Sequence, residues 1–128
     1  MKRLLSLTLI LCLVFCSLLA LVSCSQRIDS GTYKSGSSEI RIDGRKMYVS
    51  RSFNTEEGYE IAYRYKIIED GKRISLSFRD IILHGESAPL ISFAEDLRRE
   101  KEGKRDTLDF EMGSSYIKLG GIKYTKSN

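Results

Sequence analysis

Apolar and polar residues alternate along most of this chain, and the breaks in the alternation carry turn residues. The longest clean stretch runs Tyr59, Ile61, Tyr63, Tyr65 and Ile67, with Glu60, Ala62, Arg64 and Lys66 between them. A period of two puts the first set on one face of a strand and the second on the other. Asp70-Gly71 follows, and Ile74, Leu76 and Phe78 then alternate with Ser75, Ser77 and Arg79, so Tyr59 to Phe78 reads as a hairpin with its bulk on one side. Ile40 and Ile42 lead through Asp43-Gly44 to Met47 and Val49, and Ile117 and Leu119 lead through Gly120-Gly121 to Ile122 and Tyr124, which predicts two more hairpins. With Thr32-Tyr33 at the start and Leu108, Phe110 and Met112 before Gly113-Ser114, the pattern predicts about eight strands joined mostly to their sequence neighbours.

An antiparallel meander of this kind must deal with its edges, and eight strands can close into a small barrel. The predicted architecture is therefore all-β: a small antiparallel barrel with one short helix between strands 5 and 6. That helix lies in the segment from Asp80 to Asp106, where Pro89 interrupts, Ser92-Phe93-Ala94-Glu95 has capping-box spacing ahead of Asp96 to Glu102, and Gly103 supplies a stop. Tyr59, Tyr63, Tyr65, Phe78, Phe110, Met112 and Tyr124 fall on the predicted inner face, and such bulk fills a narrow barrel rather than leaving a roomy pocket. Tyrosine hydroxyls among them need partners, which places their tips at a barrel mouth. Tyr63, Tyr65, Phe78 and Tyr124 are accordingly the candidates to meet a ligand.

The first residues break the period-two pattern. Met1, Lys2 and Arg3 are followed by an almost unbroken apolar run from Leu4 to Val22, interrupted only by Ser6, Thr8 and Ser17 among polar residues, as in a secretory signal. At about 1.5 Å per residue such a run nearly crosses a ~30 Å hydrocarbon core, so an uncleaved anchor is the competing reading. Leu21-Val22-Ser23-Cys24 at its end resembles the lipobox of bacterial lipoproteins. The resemblance implies cleavage between Ser23 and Cys24 and a diacylglyceryl group on the Cys24 sulfur, with acylation of the new amine. Two or more acyl chains hold a protein on a membrane far more firmly than one. The predicted organisation is a signal peptide over 1–23, a lipidated tether over 24–30 and a barrel domain over 31–128.

Processing changes what composition implies. Of the 21 Lys and Arg residues, Lys2 and Arg3 leave with the signal, so 19 basic residues face 17 acidic ones and the formal charge falls from +4 to +2. A balance that near to neutral lacks the concentrated positive field that phosphate backbones attract, which argues against nucleic acid as a partner. Of the three cysteines, Cys12 and Cys16 also leave, so the mature chain has no disulfide and no thiolate metal site. About 105 residues suffice for one core and not for two.

Gly31-Thr32-Tyr33, Ile40-Arg41-Ile42-Asp43-Gly44, Tyr65-Lys66-Ile67-Ile68-Glu69-Asp70-Gly71 before Ile74-Ser75-Leu76, and the closing run from Phe110 through Tyr116-Ile117-Lys118-Leu119-Gly120-Gly121-Ile122-Lys123-Tyr124 together resemble small lipocalin-like domains of bacterial lipoproteins. The resemblance implies a barrel without an assigned activity. Asp80 to Asp106 is longer than that pattern calls for.

Few residues of the chain form a pattern that chemistry would need. His84 is the only histidine, so it has no imidazole partner for a metal, and it reads as a surface loop residue. Gly85-Glu86-Ser87-Ala88-Pro89 lacks the closing glycine of a nucleophile elbow. Glu56-Glu57 falls in a turn, and Asp109 and Glu111 alternate with apolar residues on a wet face. Gly120-Gly121 has no Lys-Ser/Thr to make a phosphate loop. Arg98-Arg99, Lys101 and Lys104-Arg105 form a basic cluster interrupted by acids, typical of a solvated helix face. No catalytic residue, metal or cofactor is expected. The reading is an envelope lipoprotein, anchored through acyl chains on Cys24 to the outer face of a cytoplasmic membrane or to an outer membrane. Its non-catalytic barrel binds an envelope protein, a glycan or a small apolar ligand. Two alternatives are an inhibitor of a cell-wall lytic enzyme, inserting a protruding loop such as Glu86 to Ile91, and a purely structural envelope protein.

Overall fold

A computed structural model describes residues 26–127; the positions read as a signal peptide and lipobox, including Ser23 and Cys24, lie outside the described residues. Eight strands follow in order: β1 (Gly31–Ser35), β2 (Ser38–Asp43), β3 (Lys46–Ser52), β4 (Gly58–Ile68), β5 (Arg73–His84), β6 (Arg105–Met112), β7 (Tyr116–Leu119) and β8 (Ile122–Ser127), with one helix, α1 (Ala88–Lys101), between β5 and β6. Each strand pairs antiparallel with its sequence neighbour, and β8 returns to β1 through Tyr33 opposite Lys126, closing the barrel. Closure pairs every strand on both sides over at least part of its length, and the stretch of β5 beyond Ser77 that β6 leaves unpaired is where the helix lies.

The inner face is built in rows across the register. Ile42, Met47, Tyr63 and Phe78 stand opposite one another across β2, β3, β4 and β5, and Tyr33, Ile40, Val49, Ile61 and Ile81 form the next row from β1 to β5. Met47, Ile74 and Ile117 are wholly buried, and Phe110, Leu119 and Tyr124 join the same cluster from the far wall. The interior is packed with side chains, as the bulk of the inward positions predicted.

Three expectations are corrected. Strand β5 does not end near Phe78 but continues to His84. Phe78 pairs with Tyr63 and Asp80 with Ala62, so Arg79 is an unpaired extra residue, a β-bulge. The bulge shifts the inward positions from Ile74, Leu76 and Phe78 to Ile81, which disguises the rest of the strand from a period-two reading. Met112 is 44 % exposed rather than inward. Its strand overhangs β5, whose first residue, Arg73, lies opposite Asp109. The cap of helix α1 lies five residues before the expected one at Ser92: Ser87 is the N-cap, its Oγ accepting from the Leu90 N–H at 3.3 Å. Pro89 does not interrupt but occupies the first turn, where its missing N–H has no bond to make. The helix packs along the part of β5 that β6 does not reach, burying Leu90 and Ala94, with Leu97 against the core cluster. Gly103 ends it with φ +73°, as anticipated.

Candidate functional site

The barrel has two unlike ends. One carries the β1–β2, β3–β4 and β7–β8 turns and α1; the other carries the β2–β3, β4–β5 and β6–β7 turns and receives the chain at Gln26. At the receiving end, Ile28 is 2 % exposed and belongs to the core cluster, so a residue expected in a polar tether acts as a stopper.

Tyr65 holds that stopper in place. Its hydroxyl donates to the Gly44 carbonyl at 2.7 Å and accepts from the Ile28 N–H at 3.0 Å, while its own N–H donates to the Arg45 carbonyl at 3.1 Å. The neighbouring Tyr33 hydroxyl donates to the Asp29 carbonyl at 2.7 Å, and Ser30 Oγ accepts from the Gly44 N–H at 3.2 Å. Gly44 adopts φ +61°, the left-handed conformation this tight β2–β3 turn requires. Burial pushes the Tyr65 hydroxyl above the usual phenol range, partly offset by the Ile28 bond and by Arg27 and Arg45. Burial raises Tyr33 too, helped by Asp29 and Tyr65. Both stay neutral donors, as their carbonyl partners need.

The four candidate ligand residues come together, but inside the packed barrel. Tyr63 and Phe78 meet edge to face with centroids 6.5 Å apart, and Tyr124 is 5 % exposed in the same cluster. Phe78 is only partly buried against that cluster, and Tyr65, Tyr63 and Phe78 each border a surface groove.

At the helix end, Glu57 joins the β3–β4 turn to α1. Its carboxylate accepts from the Ser87 N–H at 3.0 Å and from the Asn54 amide at 3.0 Å, while Asn54 Oδ1 accepts from the Glu56 and Glu57 N–H groups. Hydrogen bonds from Ser87, then from Asn54, hold the Glu57 carboxyl below the usual range. Gly85, at φ +149°, passes directly under that carboxylate, where any Cβ would overlap it. The loop named for the inhibitor reading, Glu86 to Ile91, is tied to Glu57 through Ser87 and starts the helix; Leu90 within it is fully buried and Ile91 is 43 % exposed. His84 ends β5 with Nε2 3.3 Å from Glu60 Oε2, and Arg41 reaches the same carboxylate at 3.6 Å. Among the described residues no group of three or more His, Cys, Asp or Glu side chains could hold a metal ion, and no helix is long and apolar enough to cross a membrane.

The least ordinary surface feature lies on the outside of β4, β5 and β6. The register sets Lys46 opposite Arg64, Arg64 opposite Ser77, and Ser77 opposite Arg105, making one basic row across four strands. An open groove of about 640 Å³ runs beside it, lined by Gln26, Arg45, Arg64, Lys66, Arg79 and Arg105 over a floor that includes Ser75 and Ser77. Arg105 Nε donates to Ser77 Oγ at 3.3 Å.

This class of protein, a small closed eight-stranded antiparallel barrel with a filled interior and one helix laid on its wall, is as far as fold and site define it. The chain matches no protein-family model, no curated protein and no solved structure.

Sequence reasoning missed Ile28 and the groove. Ile28 was visible as the one large apolar residue between Cys24 and Gly31. Arg64 and Lys66 were visible as outward residues of β4, but nothing in the sequence brings Arg79 and Arg105 to them.

Proposed function

We propose that this chain is a lipid-anchored envelope protein, acylated at Cys24, whose lipocalin-like barrel is a non-catalytic binding module working from its outer surface rather than from an internal cavity. The packed interior with Ile28 closing one end carries the reading, since the buried side chains of Met47, Tyr63, Tyr65 and Phe110 occupy the inside of the barrel. Ile28 also shortens the tether. Only Ser25, Gln26 and Arg27 separate Cys24 from a core residue, so four Cα steps of at most about 3.6 Å hold the barrel within about 14 Å of the acylated residue. A partner protein or glycan is then met by loops and strand faces beside a bilayer.

The anchor is tested by growing cells with radiolabelled palmitate and following the chain and its Cys24→Ala variant. Label on the first and none on the second, with the variant released from membranes, is the expected result. Unlabelled wild-type chain overturns the lipid anchor. For binding, a bead-captured barrel is titrated with purified envelope fractions. Retention that saturates and falls when outward residues are changed, with substitutions of inner residues acting only through stability, supports an outer-surface module. Saturable uptake of a small apolar molecule that displaces Ile28 refutes it.

A further inference from the structure

We infer that the groove on β4, β5 and β6 is a docking site for the phosphate headgroups of anionic lipids in the membrane that anchors the chain. The inference rests on the Cys24 anchor and adds a lipid class and an orientation to it. Arg45, Arg64, Lys66, Arg79 and Arg105 line the groove, and no Asp or Glu does. Among the described residues none of the five makes an ion pair, whereas Arg41, Arg73, Arg98 and Lys118 all do. Asp43 and Asp80 line the adjoining groove that Arg45, Arg64 and Arg79 also border, but within this one like charges repel one another, and an anion seated among them relieves the repulsion. The Ser77 hydroxyl in the floor offers a neutral donor of the kind that completes phosphate recognition.

Position selects the source of the phosphate. Gln26 lines the groove, beside the Gly71 turn, and Cys24 is two residues earlier. Two Cα steps span at most about 7 Å, so chain length alone keeps an acyl group on residue 24 tethered close to Gln26, and the groove that Gln26 lines is the surface nearest the headgroups. Composition alone does not show this: the β-bulge at Arg79 and the register of β6 gather onto one wall cations that are scattered through the sequence.

The test uses the lipidated protein produced from the full-length chain, reconstituted in nanodiscs of phosphatidylcholine alone or mixed with phosphatidylglycerol. Acetylation of Lys66 is timed by mass spectrometry, with the exposed Lys34 of β1 as internal reference. Slower acetylation of Lys66 on the anionic discs, unchanged Lys34, and reversal by high salt are expected. Each basic residue near an anionic surface is worth about fivefold in occupancy, so Arg64→Ala and Arg79→Ala each lower the protection of Lys66 by about that factor, and Arg79→Lys retains it. Melting curves confirm that these outer-face variants stay folded. Retention in both discs with equal Lys66 rates overturns the inference and leaves the anchor standing. Equal protection by inorganic phosphate on neutral discs makes the groove a small-anion site and overturns the headgroup assignment. Failure to stay with either disc, or retention of Cys24→Ala as firm as wild type, removes the anchor and the inference with it.

Discussion

Replacing Ile28 by alanine probes the closed end of the barrel most directly. The side chain is 2 % exposed, so the substitution takes three carbons out of the core. At about 0.8 kcal/mol per buried methylene, the transfer loss is about 2.4 kcal/mol. The hole left against a rigid barrel end adds to it, within the range of about 2 to 5 kcal/mol seen for such truncations. A loss of about 3 kcal/mol is expected, or about 12 to 24 °C in Tm for a domain of this size. Urea unfolding of the acyl-free chain measures it, with Ile122→Ala as the reference because Ile122 is 52 % exposed and its truncation should cost well under 1 kcal/mol. Tyr65→Phe leaves the Ile28 N–H and the Gly44 carbonyl without their partner and should cost about 1 to 3 kcal/mol. The two substitutions act on one contact, so their effects should fall short of additive. If Ile28→Ala costs no more than Ile122→Ala, the stopper does not stabilise the barrel and the short-tether argument falls with it.

Two further outcomes follow from the helix end. Glu57 has its folded-state pKa lowered by Ser87 and Asn54, so its contribution is present in full above the ordinary value of 4.5 and disappears as pH falls through the lower folded value. Glu57→Gln should therefore cost stability at neutral pH, with the gap to wild type closing only in acid; a gap independent of pH from 7 down to about 3 would contradict the assignment. Leu90→Ala, at a fully buried position that anchors α1 to β5, should cost about 2 to 5 kcal/mol. A cost below about 1 kcal/mol in thermal melts would mean that the helix is not packed on the wall as described.

Much of the barrel was legible because each strand's pattern is local. Alternation from Tyr59 to Ile67, followed by Asp70-Gly71 and a second alternating run, specifies a hairpin before any long-range contact forms, since a one-residue slip would turn every apolar side chain outward. The same logic found the hairpins at Gly44 and Gly120-Gly121, and the count of eight strands made closure the economical way to satisfy their edges. It failed wherever a distant residue decided the outcome. Ser92 has a better capping box than Ser87, yet Ser87 is the N-cap, with Glu57 from the far side of a strand pair taking the N–H that precedes the helix. The β5 extension was hidden because a bulge breaks the parity that a period-two reading depends on.

The sequence by itself determined the strand pattern, the turns, the bulky interior and the expectation of an anchor at Cys24, because alternation, turn glycines and a lipobox are properties of neighbouring residues. Tertiary structure alone decided which residues act together. Ile28 lies in a polar stretch and becomes core because the Tyr65 hydroxyl holds its backbone N–H against the end of the barrel. Arg45, Arg64, Lys66, Arg79 and Arg105, distributed over about sixty residues among interspersed acids, become one basic wall because strand register sets what stands beside what, and register is fixed only when the barrel closes.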